Sequence, residues 1–161
     1  KTVKWPTGTG AKGNAGVAGG IQQTSGAIGY VELAYALQNN FTTASLKNAS
    51  GNFVEPNLDS TSAAGDGLKV PDDLRFDAIN SPNPTAYPIA SATFVLVYQD
   101  MCKSGISEAT AKNVVGFLDY GLGAGQKVAE QLSYAPLPAS IQSKAQAKVD
   151  GLQCNGAALK G

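Results

Sequence analysis

Residues 4–17 read KWPTGTGAKGNAGV, and residues 26–36 read GAIGYVELAYA. The glycines that could turn the chain in the first string are Gly8, Gly10 and Gly13. Glycine adopts backbone angles that other residues avoid, so a sharp loop is expected there.

This loop is expected to join regular elements. We predict a strand over Thr2–Trp5 before it and a helix after it, with Asn14 as the N-cap of that helix. Ala27–Val31 is short and apolar, which is typical of a buried strand, and Glu32–Gln38 favours a helix. The resulting βαβα order predicts an α/β layer architecture.

Further along, Ser81–Pro88 is rich in proline and predicts a loop. Ile89–Tyr98 is an almost unbroken run of apolar, β-branched and aromatic residues, which predicts a central strand buried on both faces. A helix is expected to open at Ser107, and Pro138 suits the first turn of a last helix. The tail from Asn155 is predicted to be loosely ordered.

Nine short motifs resemble those of one known family, in the same order along nearly the whole chain. The motifs are Trp5-Pro6, Gly13-Asn14, Gly26–Glu32, Ala34–Ala36, Gln38–Asn40, Tyr87–Ile89, Thr93–Leu96, Phe117–Tyr120 and Leu132–Pro138. They resemble the phosphate-binding protein of bacterial phosphate ABC transporters. Members of that family are much longer, so the resemblance implies that this chain is only their C-terminal half.

The resemblance implies part of a two-lobed periplasmic-binding-protein fold of type II, in which ligand lies in the cleft between two α/β lobes. Residues 1–88 would then be a portion of the second lobe. Residues 89–161 would supply the hinge strand and the C-terminal helices that return to complete the first lobe. Periodicity alone also allows a single compact domain.

The charge of the chain argues against nucleic acid as a partner. The chain has 12 basic and 12 acidic residues, and Arg75 is its one arginine. No basic run is present, so nucleic acid is not an expected partner.

The sequence contains no apolar run of about 18 residues, so we predict no membrane-spanning helix. The sequence opens at Lys1 without a charged and then apolar stretch, so any export signal is expected to have been removed or to lie upstream.

The two cysteines, Cys102 and Cys154, do not have the spacing of a zinc site, and the chain has no histidine. They form either a disulfide or two buried thiols, and we favour the disulfide. A disulfide indicates an oxidising, extracytoplasmic compartment. That agrees with the resemblance, which implies a periplasmic or cell-surface protein, lipid-anchored or secreted through an upstream signal.

Catalytic constellations are not expected. Without histidine, Ser-His and Cys-His pairs are excluded. The densest carboxylate group comprises Asp66, Asp72, Asp73 and Asp77. It lacks the alternating pattern of a calcium loop, so a solvated loop face is favoured over a calcium site. We predict no catalytic residue, no metal and no cofactor.

Lys12, Gly13 and Asn14 are weak candidates for anion binding, because backbone N–H groups at a helix start attract anions. The string does not match GxxxxGK[ST], since Gly13 follows Lys12. The alternative is a connection packed for structural reasons. The resemblance implies phosphate ligands in an Arg-x-x-x-Ser-Gly-Thr run and in residues further upstream. This sequence has no such run, so no phosphate ligand is carried over.

The function that the resemblance implies is phosphate capture without catalysis. The partners would be inorganic phosphate, the missing N-terminal half and an ABC permease at the membrane. This chain would supply scaffold and lack the main phosphate ligands. Two alternatives stay open, a stand-alone extracellular structural or interaction module without a small-molecule ligand, and an enzyme that uses a carboxylate pair.

Overall fold

The computed structural model describes residues 3–160. The chain divides into two compact units, Lys1–Thr43 and Ala44–Gly161.

The first unit contains two helices, α1 (Gly13–Gln23) and α2 (Leu33–Gln38). Its buried residues are small and come from both helices, namely Ala18, Ala34 and Ala36. Gly8 and Gly13 have φ angles of 106° and 64°. Residues with side chains rarely adopt such angles, so the predicted need for glycine in this loop is confirmed at Gly8 and Gly13. Gly10 does not have a positive φ angle.

The strands predicted in this unit are wrong. Ala27–Val31 is an irregular segment, and the side chain of Ile28 is 98% exposed. Val3–Trp5 is not a strand either, and Thr2 lies outside the described residues. A strand needs a neighbour for its N–H and C=O groups, and no strand is described within this unit. Apolar composition alone is therefore not sufficient to predict a strand in these two segments.

The second unit opens with a small hairpin and a capped helix. Strands β1 (Leu46–Lys47) and β2 (Phe53–Val54) pair antiparallel, with Leu46 opposite Val54. Helix α3 (Leu58–Ala63) begins after Asn57. The Asn57 side chain accepts from the Ser60 N–H at 2.8 Å, and the Ser60 hydroxyl accepts from the Asn57 N–H at 3.0 Å. This reciprocal capping box fixes where α3 starts.

Asn48 is the polar centre of the hairpin and is only 6% exposed. Its Nδ2 donates to the carbonyls of Pro84 at 2.9 Å and Ala86 at 3.1 Å. Its Oδ1 accepts from the N–H groups of Ser50 and Asn52, both at 3.1 Å. One side chain thus holds the hairpin turn and the proline-rich loop together.

Replacing Asn48 with alanine is expected to lower the free energy of unfolding by about 2–4 kcal/mol, because four backbone groups lose their partner at a buried position. Urea unfolding followed by circular dichroism would measure the loss. The matched control is the same substitution at Asn113, which is exposed on a helix further along the chain. Equal stability of Asn48→Ala and Asn113→Ala would contradict the assigned role of Asn48.

A small apolar cluster lies beside this hairpin. It is built from alanines and two larger residues at its edge, namely Ala64, Ala78, Ala86, Ala90, Leu68 and Phe76. The Phe76 ring meets the Phe94 ring edge-on, with centroids 5.5 Å apart. Small residues dominate, so this cluster buries little apolar area per residue.

The central strand predicted over Ile89–Tyr98 is wrong as well. The segment has no strand, and Leu96 is 94% exposed. We call residues 89–98 the apolar run. Its composition suits a buried strand, but within the described part of the second unit no neighbouring strand pairs with it. A strand forms only where its backbone groups find partners.

The C-terminal helices follow the predicted pattern closely. A 3-10 helix (Met101–Ser104) precedes α4 (Glu108–Leu122), α5 (Gly125–Gln131) and α6 (Ala139–Asp150). Ser107 caps α4 by accepting from the Thr110 N–H at 3.1 Å. The predicted helix start at Ser107 is confirmed, and Pro138 directly precedes α6.

The main core lies where these helices meet the end of the chain. Its buried members are Met101, Ala111, Val115, Val149, Leu152, Cys154 and Leu159. Val114, Leu118 and Leu122 of α4 pack against them, half-buried. The apolar residues of α4 therefore form one stripe, and this stripe faces the core.

The tail beyond α6 is not loose, contrary to the sequence prediction. Strands β3 (Gln153–Cys154) and β4 (Ala157–Ala158) pair antiparallel. Asn155 and Gly156 form the two-residue turn between them, with φ angles of 49° and 84°. Asn-Gly is the preferred sequence for such a turn. Helices thus dominate the described residues, with two short hairpins, and this mixed content is consistent with an α/β fold.

Candidate functional site

Lys12, Gly13 and Asn14 lie at the start of α1. Lys12 is the N-cap and makes no side-chain capping bond, so the expectation that Asn14 caps this helix is wrong. Asn14 Oδ1 instead accepts from the Glu32 N–H at 2.9 Å. This bond ties α1 to the residue that precedes α2. Asn14 therefore has a structural role, and phosphate binding by these three residues stays a prediction.

Two open depressions lie on the second unit. One has a volume of about 580 Å³ and is lined in part by Phe53, Glu55 and Asp59. The other, of about 390 Å³, is lined in part by Asp59 and Asp66. Each has two carboxylates and no lysine or arginine in its lining. Their charge disfavours an anion such as phosphate.

Two aspartates of the Asp66–Asp77 segment, Asp73 and Asp77, are used in local turns. Arg75 Nε and Nη2 lie 2.8 Å and 2.6 Å from Asp73 Oδ2. The hydrogen bond from the Arg75 side chain lowers the pKa of Asp73. Asp77 Oδ1 accepts from the Ile79 N–H at 2.8 Å. Arg75 thus pairs with a surface carboxylate of its own loop.

Over residues 3–160 no three acidic, cysteine or histidine side chains come together as a possible metal site. Within the same range no helix combines the length and the apolar character that crossing a bilayer requires.

A cluster of charged and polar side chains links Lys160 to two helices. Lys160 Nζ lies 2.5 Å from Asp119 Oδ1 on α4 and 2.6 Å from Asp150 Oδ1 on α6. Gln146 Nε2 donates to the same two oxygens, at 2.6 Å and 2.9 Å. Hydrogen bonds from Lys160, and then from Gln146, lower the pKa of both aspartates. The two carboxylates in turn raise the pKa of Lys160. The cluster fastens the C-terminal residues across two helices.

The pH dependence of stability follows from these shifts. The lowered aspartate pKa values contribute stability above the ordinary value of 3.8, and that stability is lost as the pH falls through the folded values. The raised pKa of Lys160 contributes below 10.5 and is lost as the pH rises through its folded value. We expect a plateau in thermal stability between these limits. Lys160→Met should make the loss of thermal stability smaller at both the acidic and the alkaline end of the plateau. An unchanged loss at both ends would contradict the assignment of these pKa shifts to the Lys160 cluster.

A disulfide is present between Cys102 in the 3-10 helix and Cys154 in β3. Next to it, Asp100 Oδ1 accepts from the Asn155 N–H at 2.8 Å, and Oδ2 accepts from the Gly156 N–H at 2.9 Å. Burial alone would raise the pKa of Asp100, but these two bonds and the nearby Lys103 lower it. The carboxylate and the disulfide hold the same turn.

The roles of Asp100, Lys160 and Asn48 are not predicted by any sequence motif. Each contacts at least one residue that lies 36 or more positions away in the sequence. The Asn-Gly turn was the one local signal available, since it predicts a hairpin and therefore a docked tail. Nothing local indicates which carboxylate or carbonyl a distant side chain will meet.

Comparison with known proteins identifies the family. A profile of the PBP superfamily domain matches residues 2–122. The phosphate-binding protein PstS of Pasteurella multocida is 39% identical over 150 residues, which is 92% of this chain and 42% of that protein. PstS of Haemophilus influenzae is 40% identical over 147 residues, 89% of this chain and 42% of its own length. PstS of Methanocaldococcus jannaschii is 34% identical over 157 residues, covering 88% and 40%.

The chain therefore spans about two fifths of the length of these curated relatives. The relatives are named for binding, not for a reaction. The matched domain extends over most of the chain, from the loop before α1 to the end of α4. The chain belongs to the PBP superfamily and is PstS-like.

Proposed function

We propose that this chain is a C-terminal portion of a phosphate-binding, solute-binding component of an ABC phosphate importer. The observation that carries the proposal is the alignment of about nine tenths of the chain with proteins named for phosphate binding, at about 40% identity. Such a protein captures its ligand and performs no reaction on it. Inorganic phosphate and an ABC permease are the proposed partners of the complete protein.

We propose that this chain serves as scaffold within that protein and does not supply the main phosphate ligands. A desolvated phosphate needs several donors and favours arginine. Arg75 pairs with Asp73, and its side chain is 86% exposed, which does not suit a buried anion. The charged groups that line the two depressions of the second unit are all carboxylates. These observations support placing the main phosphate ligands in the part of the protein upstream of this chain.

The lobe assignment remains part of the proposal. Residues 1–88 would belong to one lobe, and residues 89–161 would return to the other, with the apolar run as the connecting strand. The exposure of the apolar run supports this, because a run of that composition is normally covered. The missing N-terminal portion is the proposed partner that covers it.

An extracytoplasmic location is proposed for the complete protein, either lipid-anchored or secreted through an upstream signal. The support is the disulfide between Cys102 and Cys154, because such bonds form and persist in oxidising compartments.

Isothermal calorimetry with inorganic phosphate tests the proposal. One titration uses this chain alone, and a second uses it mixed with the N-terminal segment of the Haemophilus influenzae relative that precedes the matched region. We expect no heat from the chain alone and saturable binding from the mixture. Titration of that segment alone is the control.

Two other outcomes of these titrations would favour a different function for the chain. Tight phosphate binding by this chain alone would overturn the scaffold role and make Lys12, Gly13 and Asn14 the leading candidates. A stable monomer that neither binds phosphate nor associates with the segment would favour a stand-alone extracellular module.

A further inference from the structure

The last residues of the chain contact the segment that directly follows the apolar run. We call residues 151–160 the C-terminal strap; it contains β3, the Asn155-Gly156 turn and β4. The Gln99 carbonyl accepts from the Gln153 N–H at 2.9 Å. The Gln99 side chain donates to the Gly151 carbonyl at 2.5 Å. The strap therefore binds the first residue after the run through both the main chain and the side chain of that residue.

Two of the next three residues, Asp100 and Cys102, also contact the strap. Asp100 holds the turn of the strap through both carboxylate oxygens, and its side chain is only 11% exposed. Cys102 is joined covalently to Cys154. The segment 99–102 is thus attached to the strap at three of its four positions. Between residues 91 and 98, by contrast, no backbone hydrogen bond is described.

The far end of the strap is fixed to the helices independently. Leu152 and Leu159 are buried in the main core. Lys160 then bridges Asp119 of α4 and Asp150 of α6. Hence the strap contacts residues 99–102, directly after the apolar run, and also two helices.

We infer that the C-terminal strap is a clamp that fixes the end of the apolar run to the α4–α6 body, through the Asp100 carboxylate and the Lys160 bridge as well as the disulfide. The three kinds of contact are the hydrogen bonds to Asp100, the ion pairs of Lys160 and the disulfide. Only the disulfide is broken by a reductant. The part of the run that the strap leaves unattached therefore ends at Tyr98. If a strand pairs with the run, any displacement of the run reaches the helices through Gln99 and Asp100.

Reduction isolates the noncovalent contacts. An external dithiol supplies two electrons and two protons, which convert the disulfide to the thiols of Cys102 and Cys154, and the dithiol becomes a cyclic disulfide. The Asp100 and Lys160 contacts involve no sulfur, so the clamp predicts that the strap stays docked after reduction at neutral pH.

Amide hydrogen exchange on the full chain, read by nuclear magnetic resonance, tests the clamp. The N–H groups of Gln153, Asn155 and Gly156 should be protected in the oxidised chain, whereas those of residues 94–98 should exchange freely. In the oxidised chain Asp100→Ala should speed exchange at Asn155 and Gly156 by roughly tenfold or more, because a charged acceptor is lost. Asp73→Asn, which breaks an unrelated ion pair, is the matched control.

The reduced chain gives the second readout. Protection at Asn155 and Gly156 should survive reduction in the wild-type chain and in Asp73→Asn. It should disappear in the reduced Asp100→Ala, Lys160→Met double variant. Full loss of protection on reduction of the wild-type chain, with its helical circular dichroism retained, would show that the disulfide alone holds the strap and would overturn the inference. Unchanged exchange at the turn in oxidised Asp100→Ala would overturn it equally.

Discussion

Loss of the disulfide between Cys102 and Cys154 is expected to lower the free energy of unfolding by about 4 kcal/mol. The two cysteines are 52 positions apart. In the chain-entropy model, a crosslink of that span restricts the unfolded chain by about this amount at 25 °C. The effect acts on the unfolded state, so the folded strap can remain docked while the global stability falls.

Guanidinium unfolding followed by helical circular dichroism, with and without reductant, measures this loss. The Cys102→Ser, Cys154→Ser double variant should show the same reduced stability, and reductant should have no effect on it. That variant separates loss of the crosslink from other effects of the reagent. A difference of less than about 1 kcal/mol between the oxidised and reduced chains would contradict the entropic account.

Leu96→Lys is expected to change association strongly while leaving the fold of the isolated chain intact. Leu96 is almost fully exposed in the apolar run, so its replacement removes no core contact. The run has no charged residue between Ile89 and Gln99, and Val95 and Tyr98 are also largely exposed. A charge at its centre should reduce apolar-dye binding and self-association of the isolated chain.

The same substitution tests whether the N-terminal portion covers the run. Burial of a leucine side chain contributes roughly 1.5–3 kcal/mol, so Leu96→Lys should weaken association with the N-terminal segment by about tenfold or more. Leu37→Lys, at a half-exposed leucine on α2, is the matched control. Thermal unfolding verifies that both variants fold. Undiminished association of Leu96→Lys would argue against the run as the covered surface.

The helices were the most predictable part of this fold. The α4 stripe from Ala111 to Leu122 repeats with helical spacing, and Ser107 supplies a local start signal, so both are visible in sequence. The Asn57 capping box is similarly local. These features depend on residues a few positions apart, which is the range over which sequence patterns are informative.

The strands were the least predictable part. Ile89–Tyr98 and Ala27–Val31 have the composition of buried strands, yet a strand is defined by pairing with residues that sequence composition does not identify. Both predictions took the presence of a partner for granted. The family resemblance was more robust than either, because ordered motifs such as Gly26–Glu32 do not depend on the pairing being present.

The candidate site was predictable mainly in what it lacks. The absence of histidine and of an Arg-x-x-x-Ser-Gly-Thr run is read directly from the sequence. The contacts of Asn14 with Glu32, and of Asp100 with the strap, are not. Such contacts depend on how the chain folds back on itself, so they emerge only in three dimensions.

The bond between Cys102 and Cys154 also closes a covalent ring that contains α4, α5 and α6. The link between α4 and α5, at Gly123 and Ala124, is exposed and lies inside that ring. A protease that cuts this link cannot separate the two pieces while the bond is intact. The nicked protein would therefore migrate as one band on a gel without reductant and as two bands with it, so a single band under oxidising conditions is no proof of an uncut chain.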